Sequence, residues 1–309
     1  MAYQRKVLII ANPTSGRGRG RRTADGVGER LHAHGFEVAV RFTERRGDGE
    51  RIAAAALGDS VHRPDIMVAC GGDGTIQEIA NVLVTLRGNT GIARPALALA
   101  PAGRCNDFAR VLGITPTVDS IVAAITEGEP REIDLGCVNG RHFCTVATAG
   151  IDAEVTDFVD RMCMPLAGTP AYVYGALRVL LRYRPYHVRM EGDFGKIECP
   201  VFIASTANTS SYGGAIPIAP SADPTDGLLD VCVITYMSKL RALTMIPRVM
   251  RGRHLVHPQV HFVRTRRYTL SSEEPLELWA DGERVAATPA IIEVVPAAIS
   301  VYTPCLRTQ

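Results

Sequence analysis

The sequence contains no apolar run of about 18 residues, the length that a membrane-spanning helix requires. The apolar run after the N-terminal residues is too short for the core of a signal peptide and precedes no clean cleavage site. Neither sign of charge dominates, because 34 Lys and Arg residues are balanced by 32 Asp and Glu residues. A net charge of +2 does not indicate a nucleic-acid-binding protein. We therefore expect a cytoplasmic protein without a membrane span.

Recognisable cysteine and phosphate-binding motifs are also missing. None of the eight cysteines forms a CxxC pair, so a structural zinc site is not expected. Scattered cysteines in a chain of 309 residues are typical of a reduced cytosolic protein with small buried thiols. Neither the GxxxxGKS/T loop nor the GxGxxG dinucleotide fingerprint occurs. A phosphate site in this chain must therefore be built from other residues.

About the first 135 residues alternate between short apolar strands and helical patterns. Strands are predicted at 7–11, 36–42, 65–70 and 95–100, and helices at 23–34, 50–57, 76–86 and 118–126. This βαβα order predicts a parallel sheet with helices on both faces. Continuous apolar runs are typical of parallel strands that are buried on both sides. We assign an α/β domain to residues 1–135.

The pattern changes after residue 131, where clusters of Gly, Pro, Asp or Ser separate short strand-like segments. Strands are predicted at 143–149, 186–191, 199–204, 229–235, 260–263, 267–270 and 277–280, and helices near 170–181 and 239–250. This texture predicts a mainly antiparallel, β-rich second domain over 136–290. The last apolar segment, 291–302, is strand-like, and its pattern leaves open whether it rejoins the first domain.

Three glycines and one carboxylate follow a predicted strand in the stretch GGDGT at 71–75. A strand that turns into a helix through glycines directs free N–H groups to one spot, where the helix dipole adds positive charge. Glycine also lets the backbone approach a phosphate closely. Asp73 alone would repel a phosphate, so its presence indicates a metal ion between the carboxylate and the phosphate. The alternative is a tight turn in which Asp73 is only a cap.

Two more polar stretches follow predicted strands. NPTSG at 12–16 precedes four arginines, at positions 17, 19, 21 and 22, and PAGRCNDFAR occupies 101–110. The arginines are either part of a solvated loop or a basic flap over a triphosphate. Because the carboxyl ends of parallel strands lie at one edge of a sheet, we expect the three loops to converge on one crevice.

Together these stretches resemble the diacylglycerol kinase catalytic family, especially its soluble bacterial lipid kinases. Sphingosine kinases belong to the same group, and NAD kinases and phosphofructokinases are more distant relatives. The matching motifs are NPTSG at 12–16, GGDGTIQEIAN at 71–81, PAGRCNDFAR at 101–110, IDLG at 133–136, TAGIDAEV at 148–155, DPTDGLLDV at 223–231 and WADGE at 279–283. GGDGT alone is shared with the distant relatives, whereas the full combination is far more specific.

The resemblance implies a fold and an activity. An α/β nucleotide-binding domain like that of phosphofructokinase should precede a β-sandwich-like domain, with the active site in the cleft between them. The terminal strands, at about 291–309, are expected to rejoin the first domain. ATP and Mg²⁺ are the implied cofactors, the γ-phosphate is transferred to a lipid hydroxyl, and diacylglycerol is the expected acceptor. Dimers are also expected from the resemblance.

The resemblance also assigns roles to single residues. The ATP-binding positions are Asn12, Pro13, Thr14, Ser15, Gly16, Thr43, Gly71, Gly72, Asp73, Gly74 and Thr75. Glu283 matches the catalytic base, and three acids match groups that organise magnesium and the cleft: Asp73, Asp107 and Asp134. A second, structural magnesium site is implied at Asp223, Asp226 and the carbonyl of Leu228. A metal-free Asx turn is the alternative for that loop.

Two positions depart from the family pattern. Arg104 stands where the family usually has Thr, and Gln77 stands where it usually has Asn. A long cation at position 104 replaces a hydroxyl that would contact the nucleotide. Arg104 either pairs with a phosphate or changes the choice of nucleotide, and we include it among the ATP-binding residues. Neither departure removes a carboxylate, so the catalytic prediction is retained.

The lipid acceptor is less well specified. Basic and apolar residues mix in two stretches, 172–184 and 245–253, which can lie on an anionic membrane or can be core helices with solvated arginines. We expect the protein to meet its lipid at the inner membrane surface. Alternative acceptors are a sphingoid base, a monoacylglycerol or NAD. A non-catalytic nucleotide sensor is a further alternative, but it should have lost Glu283 or Asp73.

Overall fold

The computed structural model describes residues 4–59, 62–87, 94–151, 154–155, 158 and 169–304, with side chains from 174 onward in the last range. Tyr172 and Val173, the first residues of the basic and apolar stretch 172–184, lie outside the described side chains. The chain divides into two compact units, Met1–Ile133 with Ala297–Gln309, and Asp134–Pro296. In the described ranges, no helix combines the length and the hydrophobicity that crossing a bilayer requires.

The first unit is built on a parallel sheet. Its strands are β1 (Lys6–Ala11), β2 (Glu37–Phe42), β3 (Ile66–Gly71), β4 (Ala96–Pro101) and the end of β15 (Ala290–Thr303). They lie in the order β2-β1-β3-β4-β15. Ile9 of β1 lies beside Val40 of β2 and Val68 of β3. Every residue of β3 is buried, as expected for a parallel strand covered on both faces.

In the part of the first unit that the structure describes, five helices connect or flank these strands. They are α1 (Ser15–Ala33), α2 (Asp48–Gly58), α3 (Asp73–Val84), α4 (Asp107–Val111) and α5 (Val118–Thr126). The buried face of α3 carries Ile76, Ile79, Ala80 and Leu83, the apolar spacing of an amphipathic helix. This packing holds the loop before α3 rigidly at the end of β3.

The second unit is mainly antiparallel. Its strands are β5 (Glu129–Val138), which starts in the first unit, β6 (Arg141–Phe143), β7 (Val146–Gly150), β8 (Tyr186–Gly192), β9 (Gly195–Ala207), β10 (Leu229–Thr235), β11 (Val260–Thr265), β12 (Arg267–Ser272), β13 (Glu277–Ala280), β14 (Glu283–Ala287) and the first part of β15. The main order is β14-β13-β7-β9-β8-β12-β15, and β10 pairs with β9 and β11. Its described helices are α6 (Thr169–Leu180) and α7 (Lys239–Met250). The predicted fold class, an α/β domain followed by a β-rich domain, is confirmed.

We predicted a single strand over 143–149, and this prediction is wrong in one respect. The structure has two strands there, β6 and β7. Cys144 and Thr145 separate them, and their N–H groups donate to the carboxylate of Asp281, at 2.6 and 2.9 Å. The side chain of Asp281 thus takes the donors that a continuous ladder would use. A distant carboxylate therefore decides where this strand breaks.

Candidate active site

The ends of β1, β3 and β4 are joined by backbone hydrogen bonds. The N–H of Asn12 donates to the carbonyl of Cys70 at 2.8 Å, and the N–H of Ala102 donates to the carbonyl of Gly71 at 2.8 Å. The three polar loops that follow these strands therefore lie at one edge of the sheet. The structure brings together the loops 12–16, 71–75 and 101–110 of the sequence prediction.

Glycines let two of these loops pack backbone against backbone. A Cβ atom on Gly103 would lie 2.5 Å from the Cα of Gly72, which is closer than real Cβ contacts. A Cβ on Gly71 would lie 2.4 Å from the Oγ1 of Thr75. The glycines of both loops are therefore required by contact within the protein, in addition to any approach by a phosphate.

The N-terminus of α3 is open to a ligand. Its N-cap residue is Gly72, which has no side chain that could accept a hydrogen bond from the first N–H groups of the helix. The N–H groups of Thr75 and Ile76 donate to the carbonyl of Gly72, at 3.0 and 3.2 Å. Those of Asp73 and Gly74 have no acceptor among the described residues. Together with the helix dipole, these two donors favour an anion such as a phosphate group.

Asp73 turns away from its own helix and caps another. Its carboxylate accepts from the N–H groups of Asp107 and Phe108 at the start of α4, both at 3.4 Å. Burial raises the pKa of Asp73, and the neighbouring carboxylate of Asp107 raises it further, although these hydrogen bonds oppose the change. Two acids thus share a region where ionised Asp73 is poorly stabilised. A divalent cation fits this region because it would offset both the burial and the repulsion.

The first loop is organised by Asn12. Its Oδ1 accepts from the N–H and the Oγ1 of Thr14, at 3.1 and 2.9 Å. Ser15 begins α1, and residues 16–18 have left-handed backbone angles before regular helix begins. We expected helix from residue 23, so the helical segment starts earlier than predicted.

The four arginines after this loop differ in their contacts. The guanidinium of Arg19 donates to the carbonyl of Gly103 at 2.9 Å and ties the first loop to the third. Arg21 stacks over the ring of Phe42 at 4.2 Å. All four arginines, at positions 17, 19, 21 and 22, are exposed. Tertiary contacts hold the side chains of Arg19 and Arg21, and a basic flap over a triphosphate stays a prediction.

A buried acid that the sequence analysis missed holds the next loop. Both oxygens of Glu78, on α3, accept from backbone N–H groups at the start of α2, from Gly47 at 2.7 Å and from Gly49 at 2.9 Å. Thr43, a predicted ATP-binding residue, is buried, and its N–H donates to the carbonyl of Ala11 at 2.9 Å. The loop after β2 is thereby fixed to the same edge of the sheet. The sequence indicates this role only through the position of Glu78, in the predicted helix that follows GGDGT.

In the second unit, a two-residue Asp-Gly turn positions Glu283. Ala280 pairs with Glu283, and the intervening Asp281 and Gly282 have φ of 50° and 82°, as in a type I′ hairpin. The carboxylate of Asp281 anchors the turn through the N–H groups described above. The Glu283 side chain is 16% exposed, and its Oε2 lies 3.8 Å from the Nη2 of Arg141. The side chain is therefore held in place but still reachable.

Asp134 lies with the predicted structural metal loop. Its Oδ2 accepts from the N–H of Gly227 at 2.7 Å, and its own N–H donates to the carbonyl of Pro224 at 2.7 Å. Buried Asn208, which the sequence analysis missed, donates from Nδ2 to the carbonyls of Asp134 and Cys144, at 2.8 and 2.9 Å. No sequence pattern marked Asn208, because its role depends on strands that are distant in the chain.

The acids of that loop have protein partners. Oδ1 of Asp223 accepts from the N–H and Oγ1 of Thr225, at 3.0 and 2.7 Å, as in an Asx turn. Oδ1 of Asp226 accepts from the N–H of Leu228 at 3.0 Å, and its Oδ2 pairs with Arg264. Carboxylate oxygens and a carbonyl are suitable ligands for Mg²⁺. A guanidinium, however, already supplies positive charge at Asp226, so a metal there would compete with Arg264.

Each unit therefore groups part of the predicted site. Asp73 and Asp107 lie together in the first unit, and Asp134 lies against the 223–228 loop in the second. Arg104 is exposed. No cluster of three or more His, Cys, Asp or Glu side chains with metal-binding geometry is present in the described residues.

Comparison with known proteins supplies independent information. Residues 6–138 match the model of the "Diacylglycerol kinase catalytic domain", and residues 145–303 match the "YegS C-terminal NAD kinase beta sandwich-like domain". A diacylglycerol kinase of Mycobacterium tuberculosis (strain CDC 1551 / Oshkosh) is 35% identical over 308 residues, covering 97% of this chain and 95% of the relative. A diacylglycerol kinase of Bacillus subtilis (strain 168) is 31% identical over 281 residues and 90% of each chain. The crystal structure of a diacylglycerol kinase from Bacillus anthracis str. Sterne has a TM-score of 0.72 at 21% identity, over 98% of both chains, and shows the same fold.

Proposed function

Because the chain belongs to the diacylglycerol kinase catalytic family, whose members are lipid kinases with ATP as phosphate donor, we propose that it phosphorylates diacylglycerol to phosphatidic acid. The observation that carries the proposal is the 35% identity to a diacylglycerol kinase along almost the whole chain. The choice of acceptor rests on that relative. The roles below rest on the geometry of each unit.

The γ-phosphate end of ATP is assigned to the open N-terminus of α3. The N–H groups of Asp73 and Gly74 are the donors, and the loop 12–16 and exposed Arg104 lie on neighbouring strand ends. Preorganised N–H groups stabilise phosphate charge without reorganising during the reaction. Asn12 and Arg19 contribute by holding the first loop in place.

Asp73 and Asp107 are the residues that would hold Mg²⁺. The ion neutralises phosphate charge when it is bound. Half-buried Asp73 binds it in the ionised form, and the α4 N–H groups orient the carboxylate. Arg110 forms an ion pair with Asp107 and so offsets part of the negative charge of Asp73 and Asp107 when no metal is bound.

Glu283 is the general base of the proposed reaction. Its carboxylate accepts the proton of the lipid hydroxyl while the hydroxyl oxygen attacks the γ-phosphorus, and the bond to ADP breaks. The rigid type I′ turn and the anchor of Asp281 reduce the freedom of the base. The guanidinium of Arg141, 3.8 Å from Oε2 of Glu283, helps to hold the side chain in position.

The lipid is expected to be reached at a membrane surface through α6 and α7. Leu240 is 78% exposed and Leu181 is 65% exposed, next to Lys239, Arg182 and Arg241. Apolar side chains among cations are typical of surfaces that bind anionic bilayers. Leu180 and Met245 are buried, so these helices also contribute to the core.

The test is phosphoryl transfer from ATP, measured as ADP release and as phosphorylated product. Diacylglycerol, monoacylglycerol, a sphingoid base and NAD are supplied separately in mixed micelles or buffer. The proposal expects the highest kcat/KM with diacylglycerol. A higher kcat/KM with another acceptor would replace the substrate assignment, and ATP binding without turnover on any acceptor would favour the sensor alternative.

A further inference from the structure

Asn208 follows the last residue of β9 and lies beside the break between β6 and β7. The residue is buried, with 1% of its surface exposed. Its Nδ2 group donates to the carbonyl of Cys144 at 2.9 Å, and its backbone N–H donates to the carbonyl of Thr145 at 2.8 Å. One residue therefore holds both carbonyls of the segment 144–145, which belongs to neither strand.

The N–H side of the same segment is held by Asp281. Its carboxylate accepts from the N–H groups of Cys144 and Thr145, at 2.6 and 2.9 Å, and also from the hydroxyl of Thr145. Asp281 is the first of the two turn residues that precede Glu283. The segment 144–145 therefore lies between Asn208 on one side and the turn that carries Glu283 on the other, and its position fixes the position of that turn.

The same amide group reaches a further strand. Nδ2 of Asn208 also donates to the carbonyl of Asp134 on β5, at 2.8 Å. Asp134 in turn holds the loop 223–228 through the two hydrogen bonds of 2.7 Å described above. The amide therefore ties the segment 144–145 to β5. The turn before Glu283 is thus anchored to the body of the second unit and does not depend on its own hairpin alone.

We propose that Asn208 is a positioning residue for the general base Glu283. The inference rests on the proposed kinase function, and it adds a residue that acts on the reaction only through the base. A general base must lie within hydrogen-bond reach of the proton that it accepts, and a misplacement of about 1 Å can lower the rate by about 10²-fold. Without the two donors of the Asn208 amide, the segment 144–145 can shift, and Asp281 and Glu283 shift with it.

The test measures kcat and the KM for ATP in the full-length protein, with dioctanoylglycerol as acceptor. Asn208→Ala removes both amide donors, and Asn208→Leu removes them but keeps a side chain of the same branched shape, so one variant serves if the other does not fold. Thermal melting shows which variants are folded. Each folded variant should lower kcat by about 10- to 10²-fold and leave the KM for ATP unchanged.

Thr206→Val is the matched control. Thr206 lies on β9, is also 1% exposed, and its hydroxyl is hydrogen-bonded to the hydroxyl of Tyr268, away from the segment 144–145. The control loses a buried hydrogen bond of the same unit and should keep its kcat. A fall in kcat as large as that of the Asn208 variants would overturn the proposal, because loss of stability alone would then explain both.

A second comparison shows whether Asn208 acts through the base. When Glu283→Gln has already removed the base, a further substitution of Asn208 should lower kcat by less than about twofold, the margin within which independent effects add. An equal fall in kcat with and without Glu283 would overturn the proposal. Unchanged kcat in a folded Asn208 variant of the otherwise unmodified protein would overturn it as well.

Hydrogen exchange separates this inference from the kinase function. The N–H groups of Cys144 and Thr145 should exchange faster in the Asn208 variants than in Thr206→Val, because their segment has lost its anchor. Equal exchange in folded variants would overturn the anchoring itself. Faster exchange in a protein that phosphorylates no acceptor would reject the kinase function and retain Asn208 as the anchor of the turn.

Discussion

The carboxylate of Asp73, the first residue of α3, accepts from the N–H of Asp107, the first residue of α4, at 3.4 Å. One acid of the GGDGT motif thereby joins two loops that are 34 residues apart. The same contact places Asp73 beside a second carboxylate. The hydrogen bond that orients the Asp73 carboxylate also brings the carboxylate of Asp107 near it. The contact that positions Asp73 is therefore also one cause of its raised pKa.

Replacement of Asp73 by Asn should abolish turnover and stabilise the protein at neutral pH. Burial raises the pKa of Asp73 above the ordinary value of 3.8, so the folded state binds more protons than the unfolded state above pH 3.8. The favourable contribution of this acid is fully present below pH 3.8 and is lost as the pH rises through the raised pKa. Melting temperatures from pH 3 to 8 should show Asp73→Asn above the unmodified protein at pH 7 and equal to it near pH 3. A variant that melts lower at pH 7 would contradict this electrostatic account.

Glu283→Gln should lower kcat by about 10²–10⁴, the range for loss of a general base. The amide keeps the shape of the side chain, so the hairpin and the melting temperature should be unchanged. Arg284→Gln is the neighbouring control, because Arg284 is exposed and, among the described residues, its ion pair is with Glu277 on the hairpin, at 3.1 Å. Near-normal turnover by folded Glu283→Gln would exclude the role of a base.

Gly103→Ala should destabilise the first unit by about 1–3 kcal/mol, the usual cost of overpacking. The added Cβ would lie 2.5 Å from the Cα of Gly72 and would separate the two loops. Gly58→Ala, at the end of α2, is the control, because its Cβ meets no atom within 4 Å. Urea unfolding and the KM for ATP are the measurements. Equal stability of the two variants would mean that this backbone contact is absent in solution.

Magnesium should stabilise the second unit through Asp226 in competition with Arg264. Asp226→Ala should remove the magnesium-dependent rise in melting temperature, because it removes a ligand of the predicted site. Arg264→Gln should enlarge that rise, because the competing guanidinium is gone. If neither the unmodified protein nor Arg264→Gln responds to Mg²⁺, the loop is a metal-free Asx turn.

Flotation with vesicles should depend on anionic lipid. Arg241→Glu combined with Arg253→Glu should weaken binding by about tenfold or more, since each cation near an anionic surface contributes about 1 kcal/mol. Arg131→Glu combined with Arg41→Glu, at exposed arginines on β5 and β2, changes the net charge equally and is the control. Equal flotation on neutral and anionic vesicles would show that these cations do not bind the membrane.

Local patterns in the sequence predict much of this fold. The buried strands β1, β3 and β4 are continuous apolar runs, and α5 and α7 begin and end at the predicted residues. Strand β14 and helix α4 were not predicted, because each is short and has no apolar periodicity of its own. The break at Cys144 could not be predicted either, since it depends on Asp281, 137 residues later.

The sequence by itself determined the alternation of strands and helices in the first unit, the polar loops at the strand ends and the kinase motifs, because these depend on spacing between nearby residues. The tertiary structure alone decided that Asp73 caps α4, that Arg19 and Arg21 are held by tertiary contacts, and that Glu78 holds the loop before α2. These contacts join residues that are distant in the chain, and no periodic pattern in the sequence marks such pairs. Only the packing of helices against the sheet brings their donors and acceptors within reach.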